Sequence, residues 1–221
     1  MASEPRKRAP RGQGAALRGE VLRAAMDLLR ETGSEESVSL RAVAQRVGVS
    51  VPSIYLHFAD KQALLDAVCG EVFEALHVAM KEASADAPDA FHGLRRQGTA
   101  YVRFALANPE HYRIVMMRAP SDHDPADEIA SGAFGHLLEA VTACIGLGVL
   151  EGEPVDLGLK LWAAAHGLAS LLIAKPRFPW PPLEQLVDDT ICMAGTGLAA
   201  GSRLPDDLAP DELVRRLDRL R

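Results

Sequence analysis

The sequence predicts an all-α fold, and three observations carry the prediction. Ala and Leu dominate over Val, Ile and Thr while aromatic residues make up only 5% of the chain, a composition that suits helices. Apolar positions recur at spacings of three and four almost throughout. No segment alternates at period two between turn residues as a strand would, and no internal repeat is found. At 221 residues, 48% hydrophobic and 24% charged, the chain has enough length for a sizeable core in one compact unit or two small ones.

The elements follow in order. Residues 1–14 are rich in Pro, Gly and Arg and read as a disordered basic arm. Leu17, Val21, Leu22, Ala25, Leu28 and Leu29 then share a helical face over 15–31, ended by Thr32-Gly33. Ser39 caps a short helix over 40–47, and Gly48 stands where a left-handed turn is needed. Ser50 is expected to cap a second short helix reaching His57, with Pro52 tolerated in its first turn. Asp60 opens a long helix through Leu64, Val68, Val72, Leu76 and Met80. Further helices are expected over 88–106, 110–117, 126–147, 155–174 and 183–199, with a loop at 119–125 and a short amphipathic helix in the tail from Pro205, giving nine or ten in all.

Charge is unevenly placed. Residues 1–61 hold ten Lys and Arg against seven acids, whereas the remaining 160 hold fourteen against twenty-three, so a cationic front end precedes an acidic body. No apolar run reaches the roughly 18 residues of a membrane span, because Gly, His, Lys or Asp interrupts each one. The first residues are followed by an amphipathic segment and not by an apolar signal core. Cys69, Cys144 and Cys192 lie far apart without a CxxC, which reads as free thiols in a reducing cytoplasm. The seven histidines are scattered without tight ligand spacing, so neither a metal nor a cofactor is expected. No GxSxG, HExxH or P-loop is present, and Gly146-Leu147-Gly148 follows no strand, so an enzyme is the less favoured class.

Two short helices joined by a tight glycine turn, between a supporting helix and a long one, describe a helix-turn-helix whose second helix reads the major groove. The segment VAQRVGVSVPSIYLHFADKQALLDAV resembles the DNA-binding domain of TetR-type transcriptional regulators, with Ala44, Gly48-Val49, Ile54-Tyr55, His57-Phe58, Lys61 and Leu64-Leu65 in fixed register. The resemblance covers about residues 15–69. It implies that Ser39 and its helix N-terminus grip a phosphate, that Arg41 reaches a guanine or phosphate, and that Val51, Pro52 and Ser53 begin the base-facing helix. It further implies that Tyr55, His57 and Lys61 hold phosphates. Tyr55 has a second reading as a core aromatic, His57 as a surface histidine, and the arm over 6–11 as either a minor-groove contact or a solvated tail. Val51 departs from the family pattern, offering a thymine methyl contact but no hydrogen bond.

The stretch YVRFALANPEHYRIVMM and the later LWAAAHGLASLL resemble the C-terminal domain of a TetR subgroup named for a Trp-His-Gly motif, here split into Trp162 and His166-Gly167. Independently of that, the apolar helices over 155–174 and 183–199 carry small residues that permit close approach, as a four-helix homodimer interface requires; burial inside a monomer is the alternative. Tyr101, Phe104, Tyr112, Met116, Met117, Phe134 and Trp162, with His111, His136 or His166 as polar anchors, are candidates to line a pocket for an apolar or aromatic small molecule; a Met and aromatic stripe of plain core is the alternative. The expected organisation is a basic arm (1–14), a DNA-binding head (15–62), a regulatory and dimerisation body (63–204) and a tail helix (205–221). The expected function is a cytoplasmic repressor that binds double-stranded DNA at a palindromic operator as a homodimer and is released by a small-molecule effector. The runner-up is a helix-turn-helix protein that recruits a partner through its tail, residues 213–220.

Overall fold

The computed structural model describes residues 14–117, 132–201, 203–204 and 208–219. Among these are ten helices and no strand: α1 (Gly14–Thr32), α2 (Leu40–Val47), α3 (Val51–Tyr55), α4 (Lys61–Ser84), α5 (Ala90–Ala107), α6 (Pro109–Met117), α7 (Gly132–Gly146), α8 (Pro154–Ala174), α9 (Leu183–Gly201) and α10 (Pro210–Asp218). The basic arm up to residue 13, the loop expected at 119–125 and the first part of the helix expected from 126 lie outside the described residues, as do 205–207 and the end of the tail. Of the described residues, 14–76 and 107–117 form one compact unit, and 77–106 with 132 onward form the other. The long helix α4 begins in the first and ends in the second.

In the first unit, α1 buries Val21, Leu22, Ala25 and Leu29 against Leu40, Val43 and Ala44 of α2, Ile54 and Phe58 around α3, and Leu64, Leu65 and Val68 of α4. Local chemistry sets the ends of α2. Ser39 Oγ accepts from the Ala42 N–H at 3.1 Å, and Gly48 closes the helix at φ 77°, a left-handed conformation that an L side chain adopts only under strain. Asp60 caps α4 by accepting from the Ala63 N–H at 2.7 Å. The expected cap at Ser50 is corrected. Pro52 has no N–H to give, the Ser53 N–H goes to the Ser50 carbonyl at 3.0 Å, and the Ser50 hydroxyl pairs with Ser53 Oγ at 2.8 Å. The helix α3 also stops at Tyr55, two residues before the expected end. The unit is completed by α6, whose His111 Nε2 lies 3.0 Å from the Met26 carbonyl of α1.

In the second unit α8 packs against α7 on one side and α9 on the other. Val102, Val141, Cys144, Ala169 and Val187 lie at its core. Arg95 to Asp188 at 2.7 Å, and Arg103 to Glu184, tie α5 to α9. By length and composition α8 passes the criterion for a membrane span, which corrects the expectation that none would; Asp156 and Lys160 are outweighed when hydropathy is averaged over the helix. Its Leu157, Leu168 and Leu172 are buried within this unit. The three cysteines are free thiols.

Close approach dictates Gly98 of α5, where a Cβ would meet Ile191 Cγ2 of α9 at 2.9 Å and its Cδ1 at 3.2 Å, on a β-branched side chain with little freedom to turn. Gly70 of α4 faces open space. The same substitution is therefore expected to act with opposite signs. Gly98→Ala should cost about 1–3 kcal/mol through overpacking, and Gly70→Ala should gain about 0.5–1 kcal/mol through helix propensity, both read as shifts of the urea midpoint.

Candidate nucleic-acid interface and effector cavity

The head exists because its inner face is sealed. Ile54 and Phe58, four residues apart on and beside α3, are fully and almost fully buried, which turns the residues between them outward. Tyr55 is 55% exposed and the neighbouring Leu56 82%, so Tyr55 is no core aromatic. Ser39, Arg41 and Pro52 are exposed as well. Val51 is half-buried and packs its inner side on the head core, leaving the rest of the side chain at the surface. Ser53 is half-buried with its hydroxyl shared with Ser50.

The cations divide into anchored and open ones. Arg46 is anchored, since its guanidinium makes paired bonds to Glu31 of α1 at 2.7 and 2.5 Å; this holds the Glu31 carboxyl below its ordinary value and raises Arg46 in turn. Arg18 lies over the Phe58 ring at 5.2 Å. Lys61 is half-buried and donates from Nζ to the Glu35 carbonyl at 2.7 Å, pinning the loop before α2 and leaving two N–H groups. His57 is half-buried near the start of α1. Arg41 makes no hydrogen bond or ion pair among the described residues and stands in the first turn of α2, beside the N–H groups that a helix start presents to anions.

The second unit holds a cavity of about 90 Å³ between α5, α7, α8 and α9, closed on one side by Met80 of α4. Tyr101 and Trp162, both expected in a pocket, line it together with Phe91, Leu94, Leu137 and Ile191. Trp162 Nε1–H donates to Tyr101 Oη at 3.0 Å, Tyr101 Oη lies 3.2 Å from His166 Nδ1, and His166 Nε2 lies 3.3 Å from Ser170 Oγ, so His166 braces the wall from behind. Phe134 packs edge-on against Trp162 at 5.8 Å. Phe104 is half-buried and does not line the cavity. Tyr112 and Met116 belong to the first unit and are not brought to the cavity. The sequence reasoning passed over Phe91, Leu94, Arg95 and Gly98, although with Tyr101 they recur at three and four on α5. It also assigned no role to Leu56.

Two family models match the chain: the one for bacterial regulatory proteins of the tetR family over residues 21–68, and the one for the tetracyclin repressor-like C-terminal domain over residues 94–193. The second description names no Trp-His-Gly subgroup. The chain is 31% identical over 97 residues to tetracycline repressor protein class A from transposon 1721 of Escherichia coli, a match covering 44% of this chain and 38% of that protein. The chain thus spans less than half the length of that relative. A solved protein of unknown function from Rhodococcus sp. RHA1 shares the fold at a TM-score of 0.70 and 27% identity, over 90% of this chain and 98% of that one. A TetR family transcription regulator from Marinobacter aquaeolei VT8 does so at a TM-score of 0.67 and 22% identity, over 86% and 98%.

Burial holds the His166 imidazole below its ordinary value of 6.5. The folded state therefore binds fewer protons than the unfolded one as pH falls past 6.5, so the contribution of His166 is complete above that value and is lost below it. Urea midpoints at pH 7.5 and 5.5 should show a fall in stability that is smaller in His166→Gln than in the parent.

Proposed function

Because the chain belongs to the TetR family of bacterial regulatory proteins, we propose that it is a homodimeric transcriptional repressor that reads a palindromic operator and is released by an apolar or aromatic small molecule. The observation that carries this reading is the outward face of the head, where Ser39, Arg41, Pro52, Tyr55 and Leu56 stand exposed on short helices whose inner faces are buried. In this assignment Ser39 and the start of α2 take a phosphate, and Tyr55, His57 and Lys61 take others, fixing register without reading sequence. Arg41 reads a guanine edge, the paired hydroxyls of Ser50 and Ser53 offer a second polar reader, and Val51 with Leu56 offers apolar contact to thymine methyls.

Dimerisation has its own support. Leu159 and Leu171 of α8 and Leu183 and Met193 of α9 are exposed apolar groups on helices rich in small residues. Covering them with a second copy gives a two-fold four-helix interface and two heads for half-sites about 34–36 Å apart. The cavity takes the effector. Its occupancy acts on the head through α4, which is one unbroken helix from Lys61 to Ser84 with Met80 at the cavity wall. By linkage, operator DNA weakens effector binding by the factor by which the effector weakens DNA binding. The localisation that follows is cytoplasmic, and no catalytic role is assigned.

Selection of bound DNA from a random library at two salt concentrations tests the reading. Enrichment of a palindrome with half-sites about one helical turn apart is the expected result; purely salt-sensitive, sequence-blind binding would sink it. Arg41→Ala should cost about 1–3 kcal/mol on the selected site and relax one position, while Lys61→Ala should weaken all sequences and reduce the salt slope by about one. In sedimentation, Met193→Glu should give a folded monomer with lost operator affinity; a variant that stays dimeric would place the interface elsewhere.

A further inference from the structure

We propose that the cavity of the second unit takes a small monocarboxylate, with an apolar ring or short chain inside and the anionic head held at the rim by His92 and Arg95. This rests on the effector reading above and deepens it. Most of the lining is aliphatic or aromatic, which demands an apolar body. The polar atoms of the inner wall are already engaged with one another, Trp162 Nε1–H with Tyr101 Oη and Tyr101 Oη with His166, so a ligand relying on deep hydrogen bonds finds its partners occupied. The cavity of about 90 Å³ is smaller than an engineered cavity of about 150 Å³ that accepts benzene. A short chain, or a ring that lies partly at the rim, is therefore the largest body expected.

The rim decides the charge. His92 and Arg95 stand three residues apart on α5, and both line the cavity. Each already holds a carboxylate oxygen: Asp89 Oδ2 lies 2.8 Å from His92 Nδ1, and Asp188 Oδ2 accepts from Arg95 Nη2 at 2.7 Å. Both pairs are exposed, and exposed ion pairs contribute little, so displacing Asp89 or Asp188 costs an incoming carboxylate little. Asp188 takes one of the five guanidinium N–H groups, and Asp89 leaves His92 Nε2 facing away from it. Among the described lining residues no carboxylate accompanies the guanidinium and the imidazole, and the planar fork of Arg95 suits one carboxylate.

Calorimetric titration of the full chain with pentanoate and the matched pentanamide tests the charge alone. The acid should bind roughly tenfold tighter than the amide, as a charge-assisted bond does over a neutral one. Arg95→Gln should bring the two level. Asp188→Asn, which removes the internal competitor, should strengthen the acid several-fold and leave the amide unchanged, an effect that loss of folding cannot imitate. Equal affinities in the parent, an acid preference that survives Arg95→Gln, or no binding of either compound at millimolar concentration would each overturn the proposal. Failure of the ligand-free chain to hold a selected operator would instead overturn the regulator reading, while the acid and amide titrations would still decide this one.

Discussion

A helix of five residues has no stability of its own, since one or two backbone bonds do not repay the cost of nucleation. The helix α3 exists because Ile54 and Phe58 sink into a core closed by α1, α2 and the first turns of α4. That single anchoring has consequences in both directions. Inward, it fixes the angle at which α2 and α3 meet, with Gly48 supplying the left-handed residue between them. Outward, it leaves Tyr55 and Leu56 no place but the surface, so exposure of an aromatic and a leucine side by side follows from packing. Lys61 and Arg46 serve the same frame. One holds the loop before α2 by the Glu35 carbonyl, the other ties α2 to α1 through Glu31, and neither is free to act solely as a ligand-seeking cation.

In the second unit the governing constraint is space. Gly98 stands so close to Ile191 that a Cβ would lie 2.9 Å from Cγ2, and Gly195 holds the Phe91 ring at ordinary contact. Small residues thus bring α5 and α9 together at two points while large ones, Trp162, Tyr101 and Phe91, stand around the gap that remains. A gap walled by big rigid rings does not collapse as one lined by flexible chains does. The polar chain from Trp162 through Tyr101 to His166 and Ser170 then satisfies the groups that this arrangement buries. One exception is Gln97 Oε1, buried without a partner although Gln97 Nε2 reaches Ser84 and His136. We have no physical account of it.

What the sequence made legible was local. The bounds of α2 are those expected, because Ser39 and Gly48 mark its ends with chemistry that acts over three or four residues. At Ser50 the matching donor three residues on, the Ser53 N–H, goes to the Ser50 carbonyl instead, and Pro52 has no N–H to offer in its place. Outward and inward faces of the head followed from the register of Ile54 and Phe58. The cavity did not follow, for a different reason. Tyr101, Tyr112 and Met116 occupy neighbouring helical patterns separated only by Asn108-Pro109, and periodicity alone does not say that α6 turns away to pack on α1 through His111 and Met26. Which apolar stripe lines a gap and which fills a core depends on pairings between helices far apart in sequence.

The proposed regulation places a demand on α4 that its composition meets unevenly. For occupancy of the cavity to be felt at the head, the helix must move as a body, since a displacement absorbed by bending would reach neither end. It carries no proline, and its buried residues Leu64, Leu65, Val68, Val72, Leu76 and Met80 recur at the spacings that keep one stripe held along the length. Gly70 interrupts that stiffness on the exposed side, where no neighbour braces it. A coupling free energy between sites is typically about 1–3 kcal/mol, and the helix-propensity cost of one unbraced glycine is about 1 kcal/mol. The two are of the same order. On the proposed regulation, the turn at Gly70 is therefore where α4 would most readily absorb a displacement before it reached the head.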